Sequence, residues 1–164
     1  AGAADADSYA SVADAKAHWD ATGFAYVDYT DTQIEQALRR AARWIDGRFR
    51  SRFPGERTNG RTQALEWPRS SVKDADGNDV ASDAIPREIR DATAEAARRE
   101  LAGITLSPDV TLAETIKRER VGPLETEYAG ASSVDANRPT ITVVEDILSA
   151  LFPAGGATKF VMRA

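Results

Sequence analysis

The sequence predicts a mainly α protein: a small bundle of about four helices, with a β-hairpin or strand excursion and an extended C-terminal tail. Three observations predict it. Two capping-box spacings each precede a helix-length segment with a clustered apolar side. A proline-opened, alanine-rich segment follows, and short alternating stretches surround Asp76-Gly77 and Gly122-Pro123. At 164 residues one helical domain over 1–153 is expected, with 154–164 as a flexible docking tail.

The first helix is expected over Val12–Thr22, with Ser11 as cap, Asp14 as its capping-box partner and Gly23 as the stop. Tyr9, Val12, Ala15 and Trp19 fall near one face. Phe24 to Tyr29 reads as an aromatic connecting loop. The second helix begins at Asp31 behind Thr30 and Gln33 and runs to about Arg50. Ile34, Ala37, Leu38, Ala41, Ile45 and Phe49 make its apolar stripe. Pro54-Gly55 ends that run, and Thr58 to Thr62 is a polar loop.

In Leu65-Glu66-Trp67-Pro68-Arg69, the proline keeps Trp67 out of helical geometry, so the indole is offered from a corner as a core plug. Val72 to Val80 has the composition of a tight hairpin around Asp76-Gly77. Asp74, Asp76 and Asn78 alternate like calcium ligands, but Asp79 stands where an EF-hand needs glycine, and Ile85 where it needs glutamate. A hairpin is therefore expected there, not a metal loop.

The third helix opens at Ile85-Pro86 and ends near Gly103, with Ile89, Thr93, Ala96, Ala97, Glu100 and Leu101 along one side. Thr115 to Val121 alternates like a strand, is interrupted by Gly122-Pro123, and resumes over Leu124 to Tyr128. Ala129 to Pro139 is a small-residue linker. The last helix is expected to start at Thr142 as cap, with Glu145 as its partner and Val144, Ile147, Leu148 and Leu151 facing inward. Beyond Gly155-Gly156, the tail carries Lys159, Phe160, Val161, Met162 and Arg163. Apolar residues after a glycine hinge suit a strand that docks on another surface, or one that folds back on its own domain.

Composition narrows the chemistry. There is no cysteine and one histidine, His18, which removes thiolate metal sites, cysteine nucleophiles and most histidine-dependent catalysis. Phosphate-binding glycine loops and the Gly-x-Ser-x-Gly elbow are absent. His18 follows Asp14 by one helical turn without a nucleophile pattern. No enzyme activity, metal or cofactor is expected. No apolar run approaches the roughly 18 residues of a membrane helix, and Ala1 to Ser8 is small and acidic, unlike a secretory leader.

The net charge of −5 is unevenly spread. Asp5, Asp7, Asp14, Asp20, Asp28, Asp31 and Glu35 face Lys16 alone in the first 35 residues. Nine arginines then follow between Ala37 and Ser70, against Asp46, Glu56 and Glu66. Two arrangements satisfy this pattern: pairing within one subunit, or an acidic edge meeting the basic edge of a neighbouring copy. Arg39, Arg40, Arg43 and Arg50, with Asp14, Asp28 and Asp31, are the candidate inter-subunit or channel charges.

An ordered set of landmarks covers most of the chain from Ser8 to Leu151. Ser8-Tyr9-Ala10-Ser11-Val12-Ala13-Asp14-Ala15 leads to Trp19, and Gln36 to Asp46 follows on the second helix. Then come Leu65-Glu66-Trp67-Pro68-Arg69, Ile85-Pro86-Arg87-Glu88-Ile89, and the stretch from Ile116 to Tyr128. In this order they resemble the small phage proteins labelled DnaT-like single-stranded-DNA-binding proteins. They are also similar to the head–tail connector (adaptor, head-completion) proteins of long-tailed phages and gene transfer agents.

The resemblance implies a structural virion protein at the head–tail interface, present in the host cytoplasm during assembly. A ring of about twelve copies would sit beneath the portal protein. It would extend the channel, let packaged double-stranded DNA pass without specific binding, and carry a tail or second connector (stopper or terminator) protein below. The tail at Lys159 to Arg163 would then reach the portal. No membrane is involved. The alternative is single-stranded-DNA binding, with Trp44, Phe49, Phe53 and Trp67 among the arginines as base-stacking groups.

Overall fold

Ser11 and Thr30 each begin a helix by the same device. The Ser11 hydroxyl accepts from the Asp14 N–H while the Asp14 carboxylate takes the Ser11 N–H, and Thr30 and Gln33 repeat the exchange. Such caps contribute about 1 kcal/mol each. They fix α1 at Val12–Thr22 and α2 at Asp31–Phe49. Gly23 closes α1 in the left-handed conformation at φ +74°, and its N–H donates to the Trp19 carbonyl. The computed structural model describes residues 6–109, 118–121, 124–127 and 140–152.

Two further helices complete the bundle, α3 at Arg87–Leu101 and α4 at Thr142–Ser149. Helix α3 is the central element and packs against α1, α2 and α4. Its alanines allow this. Ala92, Ala94, Ala96 and Ala97 are buried with Ile89, Thr93 and Glu95, so the helix is enclosed on more than one side. The expected single stripe was too narrow: Glu100 and Leu101 are only half-buried, while Ala92, Ala94 and Glu95 are inside. Small side chains bring the neighbouring helices close enough to cover several faces at once.

The α2 stripe is buried as expected, and Tyr9, Trp19, Trp67, Val144 and Leu148 join it in one core. Phe53 meets the Trp67 ring edge-on at 5.6 Å, and Phe152 stacks on Phe49 at 5.9 Å.

The β structure is slight. Strand β1 (Glu56–Arg57) pairs antiparallel with β2 (Arg69–Ser70), which brings the chain after Pro68 back beside Pro54-Gly55. This pairing is absent from the sequence expectation, since two residues carry no readable alternation. Around Asp76-Gly77 the chain turns back as expected, with an antiparallel bridge from Lys73 to Asp79 flanked by backbone hydrogen bonds from Val80 to Val72 and from Asp74 to Asn78. The Asp74 carboxylate takes the N–H groups of Asp76 and Asn78, closing the turn with a side chain.

Strands β3 (Arg118–Val121) and β4 (Leu124–Glu127) form an antiparallel hairpin with Val121 opposite Leu124. Strands β3 and β4 thus pair with each other where the sequence suggested one interrupted strand; Gly122-Pro123 lies outside the described residues. Thr115 to Lys117, Tyr128 and the linker Ala129 to Pro139 lie outside the described residues.

Helix α4 corrects another expectation. Ile141 is its cap, without a side-chain hydrogen bond, and Thr142 is its first helical residue. Glu145 turns instead toward Arg52, at 3.9 Å. Val144, Leu148 and Leu151 are buried and Ile147 partly so, as the spacing predicts. The proposed docking tail at 154–164, with Lys159, Phe160, Val161, Met162 and Arg163, lies outside the described residues.

Candidate interaction surface

The Leu65–Arg69 corner is a buried polar knot. The Tyr9 hydroxyl donates to Asp46 Oδ1 and accepts from the N–H groups of Glu66 and Trp67, at 3.0 and 3.2 Å. Asp46 Oδ2 takes the Glu66 N–H as well, at 3.2 Å. Burial raises the Asp46 carboxyl to about 6, outweighing the hydrogen bonds from Tyr9 and Glu66 that favour its charged form. The Tyr9 hydroxyl is pushed well above its ordinary range by burial first and the Asp46 charge second.

Glu66 holds Arg69 at 2.8 Å inside the fold and Arg50 at 2.8 Å on the surface. The Arg69 guanidinium also donates to the carbonyls of Pro54 and Gly55, at 2.7 and 2.6 Å. These groups saturate one another. Their arrangement clamps a chain reversal.

Glu95 anchors a second cluster that sequence reasoning missed. Its carboxylate meets His18 Nε2 at 3.1 Å, Arg98 at 2.9 Å and Arg99 at 3.2 Å, with its side chain only 6% exposed. Asp91 lies 3.5 Å from the other ring nitrogen of His18. The two imidazole nitrogens thus face different carboxylates, which ties α1 to α3 and does not gather ligands around one point. Among the described residues no group of histidine and acidic side chains can hold a metal ion. A glutamate amid alanines on a helix gives no signal of burial until the packing of α1 is known.

The candidate inter-subunit charges have mixed fates. Arg39 pairs with Asp7 at 2.6 Å and Glu35 at 3.5 Å, Arg40 with Glu100 at 2.7 Å, and Arg50 with Glu66. Asp31 pairs with Lys16 at 2.7 Å. Asp14 serves the Ser11 cap, which holds its carboxyl below the usual range, and lies 3.8 Å from Arg90. Arg43 and Asp28 are exposed and have no ion-pair partner among the described residues. Much of the acidic and basic asymmetry is therefore matched within one chain.

Two open clefts accompany these pairs. One of about 320 Å³ is bordered by Asp7, Ser8, Ser11, Glu35 and Arg39. The other, of about 240 Å³, is bordered by Asp14, His18, Arg87, Arg90 and Asp91. Both are lined by charges that already hold each other.

The aromatic residues considered for base stacking are mostly inside. Phe49 is 1% exposed, Trp67 2% and Phe53 6%. Trp44 is partly buried, and its ring meets Phe49 edge-on at 5.8 Å. Phe49, Phe53 and Trp67 therefore offer no free face comparable to a stacking platform.

No described helix is long and apolar enough to cross a membrane. Compared with known families, residues 1–164 match the family described as "Putative DnaT-like ssDNA binding protein". Neither curated proteins nor solved structures give a match.

Proposed function

The chain belongs to this DnaT-like family, and from that premise we propose that it is a structural head–tail connector of a phage particle. Copies form a ring beneath the portal protein, not by gripping DNA but by stacking rigid helical blocks edge to edge, with the channel running through the centre.

 The ring is not required to bind DNA specifically; its partners are the portal above and a tail or second connector protein below.

One observation carries this reading. Phe49, Phe53 and Trp67, which would have to stack bases, fill the core, and most of the nearby arginines are held by acids of the same chain. Arginines held by acids of their own chain attract phosphates less strongly than free ones. Edges and a rigid body serve assembly without an active site.

The second reading, single-stranded-DNA binding, is favoured by the family description itself. One experiment separates the two: electron microscopy of the full chain mixed with its portal, beside binding of an oligo-dT strand at physiological salt. Ring density under the portal without tight strand binding supports the connector. A bare portal with salt-sensitive strand binding overturns it. Deleting residues 154–164 tests the docking tail separately, and unchanged portal attachment would remove that part of the proposal.

A further inference from the structure

Helix α2 has an exposed face unlike its buried one. At 3.6 residues per turn, Arg40, Arg43, Gly47 and Arg50 share that face, and all four are exposed. Gly47 sits inside the helix, where glycine is the least favourable residue after proline. Nothing among the described residues explains it, because a Cβ there would meet none of their atoms within 4 Å. The three arginines around it share only Glu100 and Glu66 among them, and Arg43 has no ion-pair partner among the described residues.

A complementary feature lies at the other end of the same helix. Val27 is 85% exposed in the loop between α1 and α2, the largest exposure among the large apolar side chains described. Asp28 beside it is exposed, and so is Asp20 at the end of α1. One feature is an apolar side chain beside acids; the other is a backbone hollow beside arginines.

We propose that these are the two halves of one contact between copies: Val27 of one subunit seats over Gly47 of the next, with Asp28 against Arg43. This rests on the ring reading and names its interface. The two halves occupy different places on the chain, so the contact is head-to-tail and can propagate around a closed ring, where a two-fold contact would stop at a dimer. The absent side chain at Gly47 lets a neighbour approach the helix backbone closely. The opposite charges set direction and register.

The chain has no cysteine, so disulfide trapping is clean. About 24 Å of helix separates Asp31 from Gly47, which puts a bond between positions 27 and 47 of one chain out of reach. The test uses full-length Val27→Cys, Gly47→Cys and the double variant, each mixed with the portal, oxidised and run without reductant. The double variant is expected to give a ladder of covalent multimers. An equal mixture of the two single variants is expected to stop at dimers.

Arg43→Asp and Asp28→Arg are each expected to cut the ladder about tenfold in the double-cysteine background, and together to restore it. Both positions are exposed, and circular dichroism confirms that the variants fold. Ring density in the microscope without the 27–47 bond overturns this interface and leaves the connector reading standing. Neither ring nor bond overturns both. Loss of oligo-dT binding in Arg43→Asp, with no ladder in the double-cysteine protein, would make the α2 face a nucleic-acid surface and overturn the contact.

Discussion

The Tyr9 hydroxyl donates to the Asp46 carboxylate, joining the residue just ahead of α1 to the inner side of α2. The same oxygen accepts the N–H groups of Glu66 and Trp67, so one phenol organises three separate segments. Tyr9→Phe leaves two backbone donors and a carboxylate without that partner in the interior. A loss of roughly 1–3 kcal/mol is expected, read as a lower urea midpoint at unchanged slope. No loss of stability would mean the knot is dispensable.

Asp46 gives the fold a signed response to pH. Its carboxyl is raised by burial from 3.8 to about 6, so between these values the folded state holds more protons than the unfolded one. Stability then falls as pH rises through this window, by about 3 kcal/mol if Asp46 acts alone. Asp14 has the opposite shift, and its contribution is lost as pH falls below the ordinary carboxylate range. Urea titrations from pH 4 to 7 on the native chain and Asp46→Asn should differ in slope against pH. Parallel profiles would show that Asp46 does not titrate there.

The two glycines that matter predict opposite outcomes. Gly55 has φ +66°, and a Cβ there would lie 2.1 Å from the Ser70 carbonyl oxygen. Gly55→Ala should therefore break the β1–β2 contact and destabilise the fold by about 2 kcal/mol or more. Gly47→Ala, in an open helix interior, should stabilise the isolated subunit by up to about 1 kcal/mol while weakening its assembly. Thermal melts and sedimentation of the two variants check both signs.

Indole emission offers a direct check on base stacking. Trp19 and Trp67 are buried and Trp44 is partly so. Adding oligo-dT at physiological salt should leave the emission spectrum unchanged. Strong quenching on addition would place a base against one of these rings and favour the DNA-binding reading.

The helices were legible where local chemistry decides them. Ser11 with Asp14, and Thr30 with Gln33, announce α1 and α2 before any packing is known, and the stripe from Ile34 to Phe49 identifies the buried side. Thr142 misled because a threonine followed three residues on by glutamate imitates a capping box, while the turn actually begins from Ile141. The β1–β2 contact depends on where Pro54-Gly55 and Pro68 bring the backbone, which no residue pattern encodes. Of the candidate surface, the sequence named Arg43 and Asp28 but could not separate them from Arg39, Arg40 and Asp31. That distinction depends on which acids the fold brings within reach.

Arg52 lies over the Phe152 ring, 4.0 Å from guanidinium carbon to ring centroid, and Phe152 stacks on Phe49. The last described residue is therefore moored to the core by aromatic contacts, and the following segment leaves from a fixed post. Twelve further residues can span at most about 40 Å fully extended. Any surface that residues 153–164 themselves touch lies inside a sphere of that radius around Phe152, so the cation–aromatic stack of Arg52, Phe152 and Phe49 sets the centre of their reach.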